Sequence, residues 1–205
     1  MVEMIEYDSI RILAKIISRG GVLIFGDFML ASGRRTQYYL DFGMLSNKPS
    51  YLRRLIDLIK NEIARLNYKD VTKVVGILNK GILFIPPLSM KLKVPFALLS
   101  RKCDRLVLGQ IDSSDKILLF DDMISSGRTI ERAINAIRLK FRAEVKKIFI
   151  ILDREEGGSK RIRRLGYQLD ILVKICDLTD VLYEMGYITD EERDIIYSEA
   201  RCKSR

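Results

Sequence analysis

The 205-residue chain contains no histidine and no tryptophan, and only three cysteines and four prolines. Without histidine it lacks the commonest proton shuttle, every Ser-His or Cys-His nucleophile and the usual zinc ligand. Chemistry must then rest on Lys, Arg, Asp, Glu or a bound cation. Cys103, Cys176 and Cys202 are odd in number, widely spaced and not arranged as a paired metal signature. Neither a disulfide framework nor a zinc site is expected, and a reducing compartment fits. No apolar run approaches the roughly 18 residues that span a bilayer. The start, Met1 to Arg11, is peppered with acids and lacks the basic-then-apolar order of an export signal. The expectation is a cytoplasmic protein without a membrane partner.

What is present is charge and apolar residues. The hydrophobic share of 48% builds a proper core, and the length favours one domain with attachments. No repeat, low-complexity tract or linker divides the chain. A formal charge of +9 suits an anionic partner, either a nucleic acid or a small phosphorylated ligand. Lys and Arg are spread along the chain with no aromatic-basic stacking motif, which favours the small ligand and argues for no nucleic acid. Few Asn and Gln beside many Lys, Arg and Glu give a composition of the kind found in proteins from hot environments.

Ile5 to Ile17 has helical spacing, stopped by Gly20-Gly21. Extended pieces follow at Val22 to Phe25, Asp27 to Leu30 and Tyr38 to Phe42, with Ser32-Gly33 as a turn, so about 20–45 reads as a small β-rich hood. A helix from Ser50 through Leu66 carries a basic outer face. Strands are expected at Lys73–Leu78, Pro95–Leu99, Lys116–Phe120, Lys147–Leu152 and Gln168–Ile175. Helices are expected at Ile82–Leu92, Ile130–Phe141 and Ser159–Leu165. This alternation over about 70–175 predicts an α/β fold, a parallel sheet with helices on both faces. Thr189-Asp190-Glu191-Glu192 is a capping box ahead of a last helix to about Cys202, so 177–205 reads as C-terminal helices.

The chemistry concentrates where Lys116-Ile-Leu-Leu-Phe120 runs into Asp121-Asp122-Met123-Ile124-Ser125-Ser126-Gly127-Arg128-Thr129. Ligands of open α/β sheets sit beyond the carboxyl ends of strands, which places the acid pair at the crevice. Ser125, Ser126, Gly127 and Thr129 lie where the chain turns into a helix, so amides and hydroxyls can converge on a phosphate. The carboxylates suit vicinal hydroxyls or a magnesium ion. Together they match a sugar carrying a 5-phosphate. The Gly-Lys-Ser/Thr ending of a Walker loop is missing.

This stretch resembles the phosphoribosyl pyrophosphate signature of type I phosphoribosyltransferases. Ser32-Gly33-Arg34-Arg35-Thr36-Gln37-Tyr38-Tyr39-Leu40-Asp41 is similar to the early segment of the orotate phosphoribosyltransferases. Asn79-Lys80-Gly81-Ile82 is similar to the family's pyrophosphate-binding turn, and Asp153-Arg154-Glu155-Glu156-Gly157-Gly158 to its Asp-Arg-x-x-Gly-Gly segment. That last match sets orotate above purines. The matches run in order from about Phe25 to Leu165.

The resemblance implies a type I phosphoribosyltransferase fold with a hood, and transfer of ribose 5-phosphate from phosphoribosyl pyrophosphate to orotate, giving orotidine 5′-monophosphate and diphosphate. It implies that Lys80, Arg101, Lys102, Arg105 and Asp122 act in catalysis. The phosphoribosyl pyrophosphate contacts would be Asn79, Lys80, Arg101, Lys102, Asp121, Asp122, Met123, Ile124, Ser125, Ser126, Gly127, Arg128 and Thr129. Orotate would meet Tyr39, Leu40, Ser125 and Arg154. Magnesium (Mg2+) would be held mainly by the substrate, and a homodimer is implied because the family's loop completes the neighbour's site. That loop departs from the family's Lys-x-His-Gly: Arg105 stands for the lysine, Val107 for the histidine, and Lys102 to Asp121 is short. Ala31 stands where many bacterial relatives have lysine. The rival reading is a catalytically weak or inactive phosphoribosyl pyrophosphate-binding regulatory protein.

Overall fold

Apolar strands alternating with amphipathic helices build two units in the computed structural model: residues 1–55 with 173–205, and residues 56–172. Residues 7–29, 33, 35–66, 68–200 and 202 are described, Lys80 by its backbone alone. Ile5, Leu30, Ala31, Ser32 and Arg34, all used in the sequence reading, lie outside the described residues.

In the first unit, helix α1 (Tyr7–Gly20) buries Leu13, Ala14, Ile16 and Ile17, the face its spacing predicts. Strands β1 (Leu23–Met29) and β2 (Arg35–Leu40) pair antiparallel. The two extended pieces expected on either side of Gly26 are one strand, because a register shift between Phe25 and Phe28 absorbs the interruption. Helix α2 (Pro49–Arg65) opens on a proline, whose missing amide costs nothing in a first turn, and passes into the second unit. Helices α6 (Ile175–Glu184) and α7 (Asp190–Ala200) pack on each other, and α1 packs on α6. The capping box forms as expected: the Glu192 amide donates to Thr189 Oγ1 at 3.2 Å, and the Thr189 amide to Glu192 Oε2 at 2.8 Å.

One expectation for this unit fails. Cys176, in the first turn of α6, and Cys202, just past α7, form a disulfide with Cα atoms 5.7 Å apart. They stand 26 residues apart in sequence, and only the return of α7 along α6 brings them together. Cys103 alone is a free thiol.

The second unit holds a six-stranded sheet in the order β5-β4-β3-β6-β7-β8, apart from the last two residues of β8. Its strands are β3 (Lys73–Ile77), β4 (Phe96–Leu99), β5 (Leu106–Leu108), β6 (Lys116–Ile124), β7 (Glu144–Asp153) and β8 (Leu169–Lys174). Strands β4, β3, β6 and β7 are mutually parallel, as the alternation predicts. The short edge strand β5 is antiparallel to β4 and was not expected. Helices α3 (Ile85–Leu92), α4 (Arg128–Lys140) and α5 (Gly158–Arg164) complete the unit. The helix expected from Ile82 starts later, after a 3-10 turn at Lys80–Leu83. Pro86 and Pro87 lack amides and fit only a first turn, so they set the α-helical start at Ile85.

One core cluster joins Val75, Ile77, Leu119, Ile148 and Ile150 of the sheet to Ile130, Ile134 and Ile137 of α4. A second is aromatic: Phe120 lies 6.1 Å between ring centroids from both Phe84 and Phe149. Both hold the central strands by side chains that alternate in direction along each strand.

Candidate active site

Because β3, β4, β6 and β7 are parallel, their carboxyl ends share one edge of the sheet. That edge gathers Asn79 and Lys80 after β3, Arg101 and Lys102 after β4, residues 121–129 at β6, and Arg154 after β7. Four segments far apart in sequence thus become one locus, at the sheet edge where ligands of such folds bind.

Asp121 and Asp122 were expected beyond a strand ending at Phe120. The strand continues to Ile124, and both acids are buried within it, 3% and 5% exposed. They are therefore not solvated strand-end charges. Asp121 Oδ1 accepts from Asn79 Nδ2 at 3.0 Å and from the Asp122 amide at 3.1 Å. Asp122 Oδ1 accepts the Met123 amide at 3.0 Å. Burial, then the adjacent charge of Asp122, pushes the Asp121 carboxyl well above the ordinary range, while Asn79 pulls the other way. Buried paired carboxyls of this kind call for hydroxyl donors or a hard cation, so the oxygen donor set fits both ribose hydroxyls and Mg2+.

Beyond the acids, Ile124 is buried, Met123, Ser125 and Thr129 are half-buried, and Ser126 and Arg128 are exposed. Gly127 sits in the left-handed region (φ 75°) as the N-cap of α4, and its carbonyl accepts the Glu131 amide at 3.0 Å. The unpaired first-turn amides of α4 follow directly, beside two serines. The small-residue stretch thus lies at the start of a helix, where the sequence reading expects the chain to turn.

Asn79 caps the 3-10 turn by accepting the Gly81 amide at 2.8 Å. Lys80 begins that turn, with its side chain outside the described residues. A Cβ on Gly81 would stand 3.0 Å from Asp121 Oδ1, so glycine is what lets this turn lie against the acid pair.

Arg101, Lys102 and Arg105 are exposed on a tight hairpin between β4 and β5. The Ser100 amide donates to the Arg105 carbonyl at 2.9 Å, the Cys103 amide to the Ser100 carbonyl at 2.8 Å, and Lys140 Nζ to the Asp104 carbonyl at 2.6 Å. The Cys103 side chain is buried in the α4 core cluster and anchors the turn. Val107 is half exposed on β5. The start of the segment that the resemblance marks as a mobile loop is here a hydrogen-bonded turn with the buried Cys103 at its centre.

Arg154 follows Asp153, which is buried and accepts the Glu155 amide at 2.8 Å. The Arg154 Nε lies 3.3 Å from Glu156 Oε1, with the side chain 11% exposed. Its backbone amide donates to the Ile124 carbonyl at 2.9 Å, so the Arg154 segment is bonded to the β6 loop. Tyr39 and Leu40 belong to β2 in the other unit, where Tyr39 packs on Phe28 at 5.5 Å and Leu40 is buried.

A parallel sheet with a buried acid pair and a small-residue cradle at one strand end is the architecture of the type I phosphoribosyltransferases. The Leishmania donovani UMP synthase structure shares the fold at a TM-score of 0.81 and 23% identity, over 94% of this chain and 42% of that one. This chain therefore spans less than half the length of that protein. The orotate phosphoribosyltransferase of Aeropyrum pernix matches at a TM-score of 0.70 and 23% identity, over 85% of this chain and 99% of that one. In sequence, the orotate phosphoribosyltransferase of Pyrococcus abyssi is 32% identical over 171 residues, 81% of this chain and 93% of that protein. No family model matches. The chain belongs to the orotate phosphoribosyltransferase family.

Proposed function

We propose that the protein transfers ribose 5-phosphate from phosphoribosyl pyrophosphate to N1 of orotate, releasing diphosphate, as a step of pyrimidine nucleotide synthesis. The observation that carries this reading is the buried Asp121–Asp122 pair leading into the Ser125–Thr129 turn, with Arg154 bonded through its backbone to Ile124, directly before that turn.

Asp121 and Asp122 take the ribose hydroxyls, and the amides and hydroxyls of residues 125–129 take the 5-phosphate. The guanidinium of Arg154 meets the orotate carboxylate, the group that distinguishes orotate from uracil, and a planar fork suits it. Ser125 lies between the two subsites. Asn79, Lys80, Arg101, Lys102 and Arg105 would meet the departing diphosphate, whose charge grows as the C1′–oxygen bond breaks and the C1′–N1 bond forms, the N1 proton leaving with the diphosphate. Magnesium, when bound with the diphosphate, would offset part of that charge. No protein nucleophile and no imidazole is needed, which agrees with a chain lacking histidine.

A homodimer and a cytoplasmic location complete this reading. Among the described residues no helix is long and apolar enough to cross a membrane. The pinned Ser100–Arg105 hairpin favours one second reading, a protein that binds phosphoribosyl pyrophosphate and turns it over slowly or not at all. Following orotate absorbance with phosphoribosyl pyrophosphate and Mg2+, beside calorimetric binding of the sugar donor, separates the two. Turnover with binding supports the transferase, binding alone supports the regulator, and absence of binding ends both.

A further inference from the structure

In the Asp-Arg-x-x-Gly-Gly segment the last glycine, Gly158, lies where the neighbouring loop leaves no room for a side chain. A Cβ built on Gly158 would stand 2.3 Å from the Ser125 carbonyl oxygen, 2.7 Å from the Gly127 nitrogen and 2.8 Å from Ile124 Cγ1. All three atoms belong to residues 124–127, and two are backbone, so no rotamer change relieves the overlap. The shortest contact falls roughly 1 Å inside ordinary van der Waals separation. The approach is mutual, since a Cβ on Gly127 would meet the Gly158 carbonyl oxygen at 3.0 Å and its Cα at 3.1 Å.

Hydrogen bonds fix the two segments in this register. The Gly158 amide donates to the Ser125 carbonyl at 2.8 Å, and the Arg154 amide to the Ile124 carbonyl at 2.9 Å. One turn further on, Arg161 Nε meets Glu131 Oε2 at 2.6 Å, tying α5 to α4. Gly127 and Gly157 occupy the same left-handed N-cap conformation at the two helix starts (φ 75° and 92°). The loop after β7 is therefore a mould against which the loop after β6 is set.

We propose that Gly158 is a positioning residue for the 5-phosphate loop: by lacking a side chain it lets the base-side loop hold Ser125 to Gly127 at the height that aims their donors at the phosphate. This rests on the phosphoribosyl donor reading above. It divides the second loop into two roles, Arg154 for the acceptor base and Gly158 for the donor's phosphate. A group displaced by about 1 Å can cost roughly 10²-fold, so the loss expected from a Cβ here is of that order.

The test compares wild type and Gly158→Ala by calorimetric titration with ribose 5-phosphate and, separately, with diphosphate. The diphosphate turn at Asn79–Gly81 makes no part of the Gly158 contact, so diphosphate affinity should stay within roughly two-fold while ribose 5-phosphate affinity falls roughly 10²-fold. Equal ribose 5-phosphate affinity in the variant overturns the role of Gly158 and leaves the donor reading intact. Loss of both affinities overturns it too, because damage would then be general. A wild-type chain that binds neither ligand removes the donor reading and this inference together. Should the variant not fold, amide hydrogen exchange on wild type decides. Ribose 5-phosphate must then raise protection of the Gly158 amide along with residues 125–129, and protection confined to 125–129 refutes the proposal.

Discussion

Asn79 ties the turn after β3 to the acid pair of β6: its Nδ2 donates to Asp121 Oδ1 at 3.0 Å while its own Oδ1 accepts the Gly81 amide at 2.8 Å. One side-chain amide thus caps the turn after β3 and orients an acid in the neighbouring strand β6. Such a link needs both donor and acceptor ends, which Asn has and Asp lacks at neutral pH.

Asp121→Asn should stabilise the ligand-free protein while weakening ribose binding. The unfolded chain releases the Asp121 proton near pH 4 and the folded chain does so only at higher pH, so the native carboxyl costs stability progressively as pH rises above about 4. The gain in Tm over wild type should accordingly be small at about pH 4 and larger at neutral pH. Thermal melts at both values check this, and an identical gain at each would remove burial of the acid as its cause.

Arg154→Ala should lower orotate turnover roughly 10²-fold to 10³-fold, the usual cost of a well-placed donor, with phosphoribosyl pyrophosphate binding retained. Arg154→Lys should rescue little, because an ammonium cannot make the planar two-bond contact. Unchanged orotate kinetics in the alanine variant would show that the carboxylate is held elsewhere.

The Cys103 thiol should resist alkylation in the folded protein. It is 4% exposed, and burial, with Arg132 opposing, pushes its pKa up to about 11. The thiolate is the reacting form, so at about pH 8 labelling should wait for unfolding. Mass spectrometry of native and denaturant-treated samples reads the difference, and rapid native labelling would mean that the hairpin anchor opens.

The Cys176–Cys202 disulfide closes a loop of the C-terminal helices, and for a separation of 26 residues chain entropy alone gives about 3–4 kcal/mol. Denaturant unfolding with and without reductant should show a loss of that order, matched by Cys202→Ser. The α7 end that it ties down also carries Glu199, whose carboxylate accepts from Thr36 Oγ1 at 2.5 Å and the Gln37 amide at 2.6 Å on β2. No change in midpoint on reduction would mean that packing of α6 on α7 suffices.

Much of this is legible in the sequence. The strand–acid pair–small-residue order from Lys116 to Thr129 states its own chemistry, since each step is a local preference: apolar residues bury, Gly127 turns, the helix follows. The Thr189–Glu192 box likewise forms both its bonds because the partners are three residues apart. The late start of α3 follows from Pro86 and Pro87, and the strand runs through Gly26 because pairing with β2 carries it across the break that the sequence suggests.

Contacts between distant residues were a different matter. Burial of Asp121 and Asp122, the disulfide between Cys176 and Cys202, the anchoring of Cys103 under α4 and the fit of Gly158 against Ser125 are all set by how elements stack. A single chain read in order specifies short-range propensity and periodicity, which is why the α/β rhythm and the acid-and-glycine motifs could be written down from it. Which atoms approach across the sheet edge depends on strand order and helix packing, and those emerge only when the whole chain minimises exposed apolar area and unpaired polar groups at once.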